Sequence, residues 1–114
     1  MTAALQPDSA SYRRREEYQL ARALLADVCV ATNPRPKEDA EAQRLRRSAV
    51  ALPKLFIPSP KPLSAEEERD SQRILLSEIA EAVHSALASG GLDEGTAERL
   101  EERRQELLQR IESY

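Results

Sequence analysis

The sequence is short of the residues from which most catalytic and metal sites are built. It has one cysteine, one histidine, one phenylalanine and no tryptophan in 114 residues. Cys29 and His84 cannot supply the usual four Cys/His ligands of a structural zinc site, and one cysteine cannot form a disulfide within the chain. The three glycines, Gly90, Gly91 and Gly95, follow a predicted helix instead of a strand, so they do not form a phosphate-binding loop. We therefore expect no enzyme activity, no cofactor, no metal and no small-molecule substrate.

Long apolar runs are missing as well. No stretch approaches the roughly 18 apolar residues that suggest a membrane span, and the N-terminus lacks the apolar core of a signal peptide. The low cysteine content is typical of a reducing compartment. We therefore predict an intracellular protein, with the cytoplasm preferred and an organelle left open.

Large apolar side chains are scarce. Leu, Ile, Val and Phe make up only 24 of the 114 residues, whereas alanine contributes another 17. Alanine favours helix but buries little surface. This composition predicts a helical protein that is completed by its partners.

Apolar periodicity predicts two helices in the first half of the chain. Between Ser11 and Asn33, apolar residues recur at steps of three and four, which indicates an amphipathic helix of about five turns. The prolines that follow Asn33 end it. A second helix with a thinner apolar face is predicted from Glu38 to about Val50.

The second half of the chain carries clearer helix signals. Ser64 and Glu67 form a capping-box pattern at the start of a third helix, and Gly90 is suited to its end. Asp93 is the expected cap of a fourth helix, whose apolar face is interrupted by Arg104. We expect Arg104 to extend its charge to the solvent or to pair with a carboxylate of a partner.

These elements predict an all-α fold with an open, non-bundle arrangement of about four helices. The short link between the last two helices makes them antiparallel neighbours. Along the chain we predict a flexible tail at 1–10, an N-terminal helical region at 11–52, an extended Pro-rich connector at 53–63 and a C-terminal helical hairpin at 64–114.

The Pro-rich connector is the most unusual stretch of the sequence. Residues 52–63 hold four of the seven prolines and the only phenylalanine. Proline prevents both a continuous helix and a central strand here. The apolar residues could fold back as core, or they could bind a partner as an extended peptide. We favour the second interpretation, with a partner-binding site formed by Leu55, Phe56, Ile57 and Leu63.

Charge is unevenly distributed along the chain. Residues 1–52 carry nine basic and seven acidic side chains, a net charge of +2, whereas residues 64–114 carry six basic and thirteen acidic ones, a net charge of −7. Such a chain can present unlike surfaces to two neighbours. Ordinary solvated helix surfaces explain the same pattern.

Two arginine clusters raise the question of nucleic-acid binding, one at residues 13–15 and one at Arg44, Arg46 and Arg47. The overall charge of −3 and the 4% aromatic content argue against it, because phosphate contact needs clustered cations and base stacking needs aromatic rings. We predict a non-catalytic structural subunit of a larger protein assembly that binds other protein subunits. The alternatives are a self-folding helical adaptor or assembly chaperone and, with less support, a component of a ribonucleoprotein.

Overall fold

The computed structural model describes residues 9–33, 39–57 and 64–113, with side chains of the first helix described from residue 15 onward. These ranges contain helices and no strand, so the predicted all-α fold class is confirmed. The elements are α1 at Ser9–Thr32, α2 at Ala40–Ala51, a short 3-10 helix at Pro53–Phe56, α3 at Ala65–Ala88 and α4 at Glu94–Glu112. Because α1 begins at Ser9, the end of the predicted flexible tail is already helical, and residues 1–8 lie outside the described ranges.

Short polar side chains begin three of the helices. The Ser64 hydroxyl accepts a hydrogen bond from the backbone N–H of Glu67, and the Glu67 carboxylate accepts one from the backbone N–H of Ser64. The capping box predicted for α3 is therefore present. Asp93 caps α4 by accepting from the N–H of Thr96 at 2.7 Å, and Asp39 caps α2 in the same way. These contacts satisfy backbone donors that no helical carbonyl can reach.

A glycine ends α3, as predicted. Gly90 has a φ of +82°, in the left-handed region that side chains with a Cβ rarely adopt. The backbone N–H of Gly91 donates to the carbonyl of Ala86 at 2.8 Å, which closes the last turn in the manner of a Schellman motif. Leu92 then folds back and is buried. This turn sends the chain directly into α4.

The four helices contact one another in a ring. Helix α1 contacts α2 and α4, and α3 also contacts α2 and α4. Asp27, late in α1, pairs with Arg103 in the middle of α4 at 3.0 Å, and Glu16, early in α1, pairs with Arg110 near the end of α4. Helices α1 and α4 therefore run in opposite directions.

The pair α3 and α4 is joined at one end by residues 89–93. At the other end, the Nε of Arg73 donates to the carboxylate of Glu112 at 2.6 Å. This is the contact expected of antiparallel neighbours. Because α1 and α3 both run opposite to α4, they run in the same direction. Glu17 of α1 accordingly pairs with Arg69 of α3 near the start of both helices.

The helices share one apolar core, which corrects the expectation of an open, non-bundle arrangement. The core contains residues of all four helices and of the 3-10 helix. Small side chains explain the difference, because buried alanines let the helix backbones approach closely and a modest number of larger residues then fills the interior. The buried alanines are Ala21, Ala42, Ala49, Ala82, Ala86 and Ala97.

The connector also differs from the expected extended conformation. Residues Pro53–Phe56 form a 3-10 helix in which the N–H of Leu55 donates to the carbonyl of Leu52 at 3.0 Å. Proline fits the first position of a helix because its φ suits the turn and its missing N–H would have had no partner there. Ile57 is extended, with a ψ of 136°, as expected for a residue that precedes a proline.

Candidate functional site

The predicted partner-binding residues do not form one exposed surface. Phe56 is only 2% exposed and lies in the core, and Leu55 is half-buried and packs against that core. Ile57 is 49% exposed, and Leu63 lies outside the described residues. Phe56 therefore has no free surface to offer a partner in this fold, and the expectation that it anchors one is corrected. The chain's own helices cover it, in agreement with the other interpretation, in which the apolar residues of the connector fold back as core.

A buried polar network holds the 3-10 helix in place. The side-chain amide of Gln72 donates to the backbone carbonyl of Leu55 at 3.1 Å. The Nη1 of Arg69 donates to the side-chain oxygen of Gln72 and to Oε1 of Glu17, both at 2.9 Å. Gln72 and Glu17 are each about 1% exposed. The network thus links α1, α3 and the 3-10 helix. The charge of Arg69 compensates the buried carboxylate of Glu17, so the buried charge is paired.

An exposed concavity with an apolar floor lies between α3 and α4. We call it the α3–α4 groove, and its volume is about 370 Å³. Its floor is apolar and consists of two alanines and two larger aliphatic residues: Ala80, Ala97, Val83 and Leu87. Its rim carries His84 and three glutamates: Glu94, Glu98 and Glu101. The groove thus combines an apolar floor with an acidic edge.

Glutamates continue along the exposed side of α4, from the rim of this groove, which Glu94 and Glu98 line, to an adjoining concavity that Glu102 and Glu106 line. Glu94, Glu98, Glu102 and Glu106, which we call the acidic ridge, recur every four residues. One helical turn separates neighbours, a rise of about 6 Å. All four are exposed, and within the described ranges none of their carboxylates forms an ion pair. Two arginines of the same helix, which could have neutralised the ridge, pair with α1 instead.

Arg104 does not reach this ridge. It is buried, and its Nε donates to Oε2 of Glu101 at 2.9 Å, with a second hydrogen bond from Nη2 to the same carboxylate. Hydrogen bonding from Arg104 lowers the pKa of Glu101, against the opposing effect of partial burial. Arg104 thus pairs with a carboxylate of its own helix. Its charge is compensated without the predicted solvent exposure and without a partner's carboxylate.

The arginine cluster of α2 is largely occupied by internal contacts. Arg44 pairs with Glu81 of α3 at 3.2 Å, and the guanidinium of Arg46 donates to the hydroxyl of Thr32 through Nε and Nη2. Arg47 is exposed. Internal contacts thus hold two of the three guanidiniums, although only the Arg44 charge is paired with a carboxylate, and so few cations are a weak basis for phosphate binding.

The sequence contains a signal for the acidic ridge. It is the i, i+4 spacing of the four glutamates in α4, within a half of the chain that carries a net charge of −7. That spacing places like charges on one side of a helix. The apolar floor could not be found in this way, because it depends on how α3 packs against α4.

The described part of the chain shows neither a metal-binding cluster nor a membrane-spanning helix. In it, no three His, Cys, Asp or Glu side chains are grouped so that they could hold a metal ion. None of the described helices is long and apolar enough to cross a membrane. The sequence matches no protein-family model, no curated protein and no solved structure.

Proposed function

We propose that this chain is a non-catalytic helical adaptor that folds on its own and binds another protein through its surface. One observation carries the proposal: Phe56, the only phenylalanine, is buried in the same core as the four helices. A chain that covers its largest apolar side chain by itself does not need a partner to complete its core. The self-folding adaptor, which the sequence left as an alternative, is therefore favoured over a structural subunit that binds its partner through the connector.

A protein partner suits the exposed surface better than a nucleic acid does. The α3–α4 groove offers apolar floor atoms for van der Waals contact, whereas its acidic rim would repel phosphates. Internal contacts hold Arg44 and Arg46, two of the three arginines of the α2 cluster that could have attracted phosphates. These contacts support a protein-binding role and weaken the ribonucleoprotein alternative.

A second candidate function is a structural subunit that uses its connector to hold a neighbour. Ile57 supports it, because this large apolar side chain is 49% exposed directly before Pro58. Among the described residues of the connector, Ile57 and not Phe56 would contact the neighbour. An exposed isoleucine is common on protein surfaces, so this candidate ranks second.

Thermal unfolding of the purified chain, followed by circular dichroism, tests the proposal. A self-folding adaptor should unfold in one cooperative transition, and sedimentation velocity should show the mass of one chain. A shallow, non-cooperative transition of the isolated monomer would contradict the proposal and favour a subunit that folds with its partners. The variant Ile57→Asp separates the two candidates further. It should leave partner binding by the adaptor unchanged, but it should abolish binding by a subunit that holds its neighbour through the connector.

A further inference from the structure

We propose that the α3–α4 groove binds a basic amphipathic helix of another protein. This inference rests on the adaptor function proposed above and adds the site and the chemical class of the partner. Two features carry it, the apolar floor of the groove and the unneutralised carboxylates beside it. Each feature alone is common on protein surfaces, whereas together they match one kind of ligand.

The floor of the groove suits a helix that lies along it. Ala80 of α3 and Ala97 of α4 both line the groove as small residues, so a third helix can come close to both helices. Val83 and Leu87 provide larger apolar atoms beside them. A row of Leu or Ala on the incoming helix would fill this volume in the helix-in-groove mode of recognition.

The acidic ridge sets the charge of the partner. Its glutamates rise by about 6 Å from one to the next, the same rise that separates Lys or Arg residues four apart on a partner helix. Glu101, also on the rim, is already hydrogen-bonded to Arg104. Within the described ranges the ridge carboxylates lack ion-pair partners, so their negative charge is directed at the solvent. Charge complementarity therefore selects a cationic ligand.

A helical ligand fits better than an extended one. An extended peptide usually adds a strand to a sheet edge, and the described residues contain no strand. A helix satisfies its own backbone hydrogen bonds and can bind through side chains alone. The groove, which is built from two helices, offers side-chain contacts of this kind.

The test uses a fluorescein-labelled helical peptide of about 18 residues, with Lys at every fourth position and Leu and Ala along the adjacent stripe. Fluorescence anisotropy should show saturable binding to the full chain that weakens as salt is raised, because salt screens exposed ion pairs. The double variant Glu98→Gln with Glu102→Gln should weaken binding by roughly five-fold, the effect of losing two exposed charge contacts. Ala80→Leu, which fills the floor without changing charge, should weaken it as well.

Glu78→Gln is the matched control. Glu78 is an exposed glutamate of α3 that does not line the groove. Glu78→Gln changes the net charge by the same amount as the single variant Glu98→Gln. The control should bind the peptide as the unmodified chain does. Equal weakening by Glu78→Gln and Glu98→Gln would show general charge attraction and overturn the proposal.

Two further results would overturn it. A peptide of the same composition with its Lys residues scrambled should bind poorly, so equal binding would refute recognition of a helix face. Self-association in sedimentation velocity that Glu98→Gln abolishes would mean that a second copy of the chain occupies the groove. A chain that unfolds cooperatively but does not bind the peptide refutes this inference alone, whereas a chain that fails to fold by itself refutes the adaptor function.

Discussion

Replacing Phe56 by alanine is the sharpest test of how this chain is held together. The side chain is 2% exposed and is the largest member of the core. Truncating a fully buried phenylalanine removes its burial energy and leaves a cavity, which together cost about 3–5 kcal/mol. A chain of this length has a free energy of unfolding of roughly 5–15 kcal/mol. The variant should therefore lose about a fifth or more of its stability.

The neighbouring residue provides the matched control. Ile57 is 49% exposed, so Ile57→Ala should cost about 1 kcal/mol or less. In a domain of this size each kcal/mol lowers the Tm by roughly 3–6 °C. Phe56→Ala should thus lower the Tm by about 9–30 °C, and Ile57→Ala by no more than about 6 °C.

Urea unfolding followed by circular dichroism measures both changes, and an unchanged slope with denaturant would show that the unfolded states are comparable. Similar losses of stability in the two variants, or a cost of less than about 1 kcal/mol for Phe56→Ala, would contradict the burial of Phe56. Either result would mean that Phe56 is not in the core of the isolated chain. The residue would then be free to bind a partner, as the sequence first suggested.

Three further predictions concern the ends of the helices. Ser64→Ala removes the hydroxyl of the capping box and should cost about 1 kcal/mol in urea unfolding, and loss of no stability would contradict the role of that contact. Gly90→Ala should cost about 1–2 kcal/mol because of the φ of +82°, although no atom lies within 4 Å of the added Cβ, and a neutral effect would refute the strain. Hydrogen bonding from Thr96 lowers the pKa of Asp93 in the folded chain, with the larger contribution from the Thr96 backbone and a smaller one from its side chain. The ionised cap therefore stabilises the fold above the unfolded value of about 3.9, and this contribution is lost as the pH falls below it. Asp93→Asn keeps the cap without the charge, so its stability should fall less between about pH 5 and pH 3 than that of the unmodified chain, and equal slopes would contradict the assignment.

The helix ends were predictable because their signals are local. Ser64 caps α3 through a residue three positions away, and Gly90 ends the same helix through its own φ. Such interactions depend on neighbours in the sequence and not on the packing of distant segments. The helix periods were readable for the same reason, since an apolar face needs only its spacing to be recognised.

The candidate sites were less predictable. The groove is formed by residues of α3 and α4 that are separated by the turn at Gly90, so no single stretch of sequence contains it. The fate of Arg104 also depended on geometry, because a carboxylate one turn earlier, that of Glu101, accepts both of its hydrogen bonds. The sequence could indicate that this arginine interrupts an apolar face, but not which acceptor it would find.

By itself, the sequence determined the all-α class, the four helices, most of their ends and the acidic character of the second half. These follow from propensity, spacing and caps, which act over a few residues. Only the tertiary structure decided that the helices close around one core and that Phe56 lies inside it. The physical reason is packing: the area that a side chain buries depends on how closely distant helices approach, and small alanines set that distance. The same packing decides which glutamates of α4 remain without an internal partner.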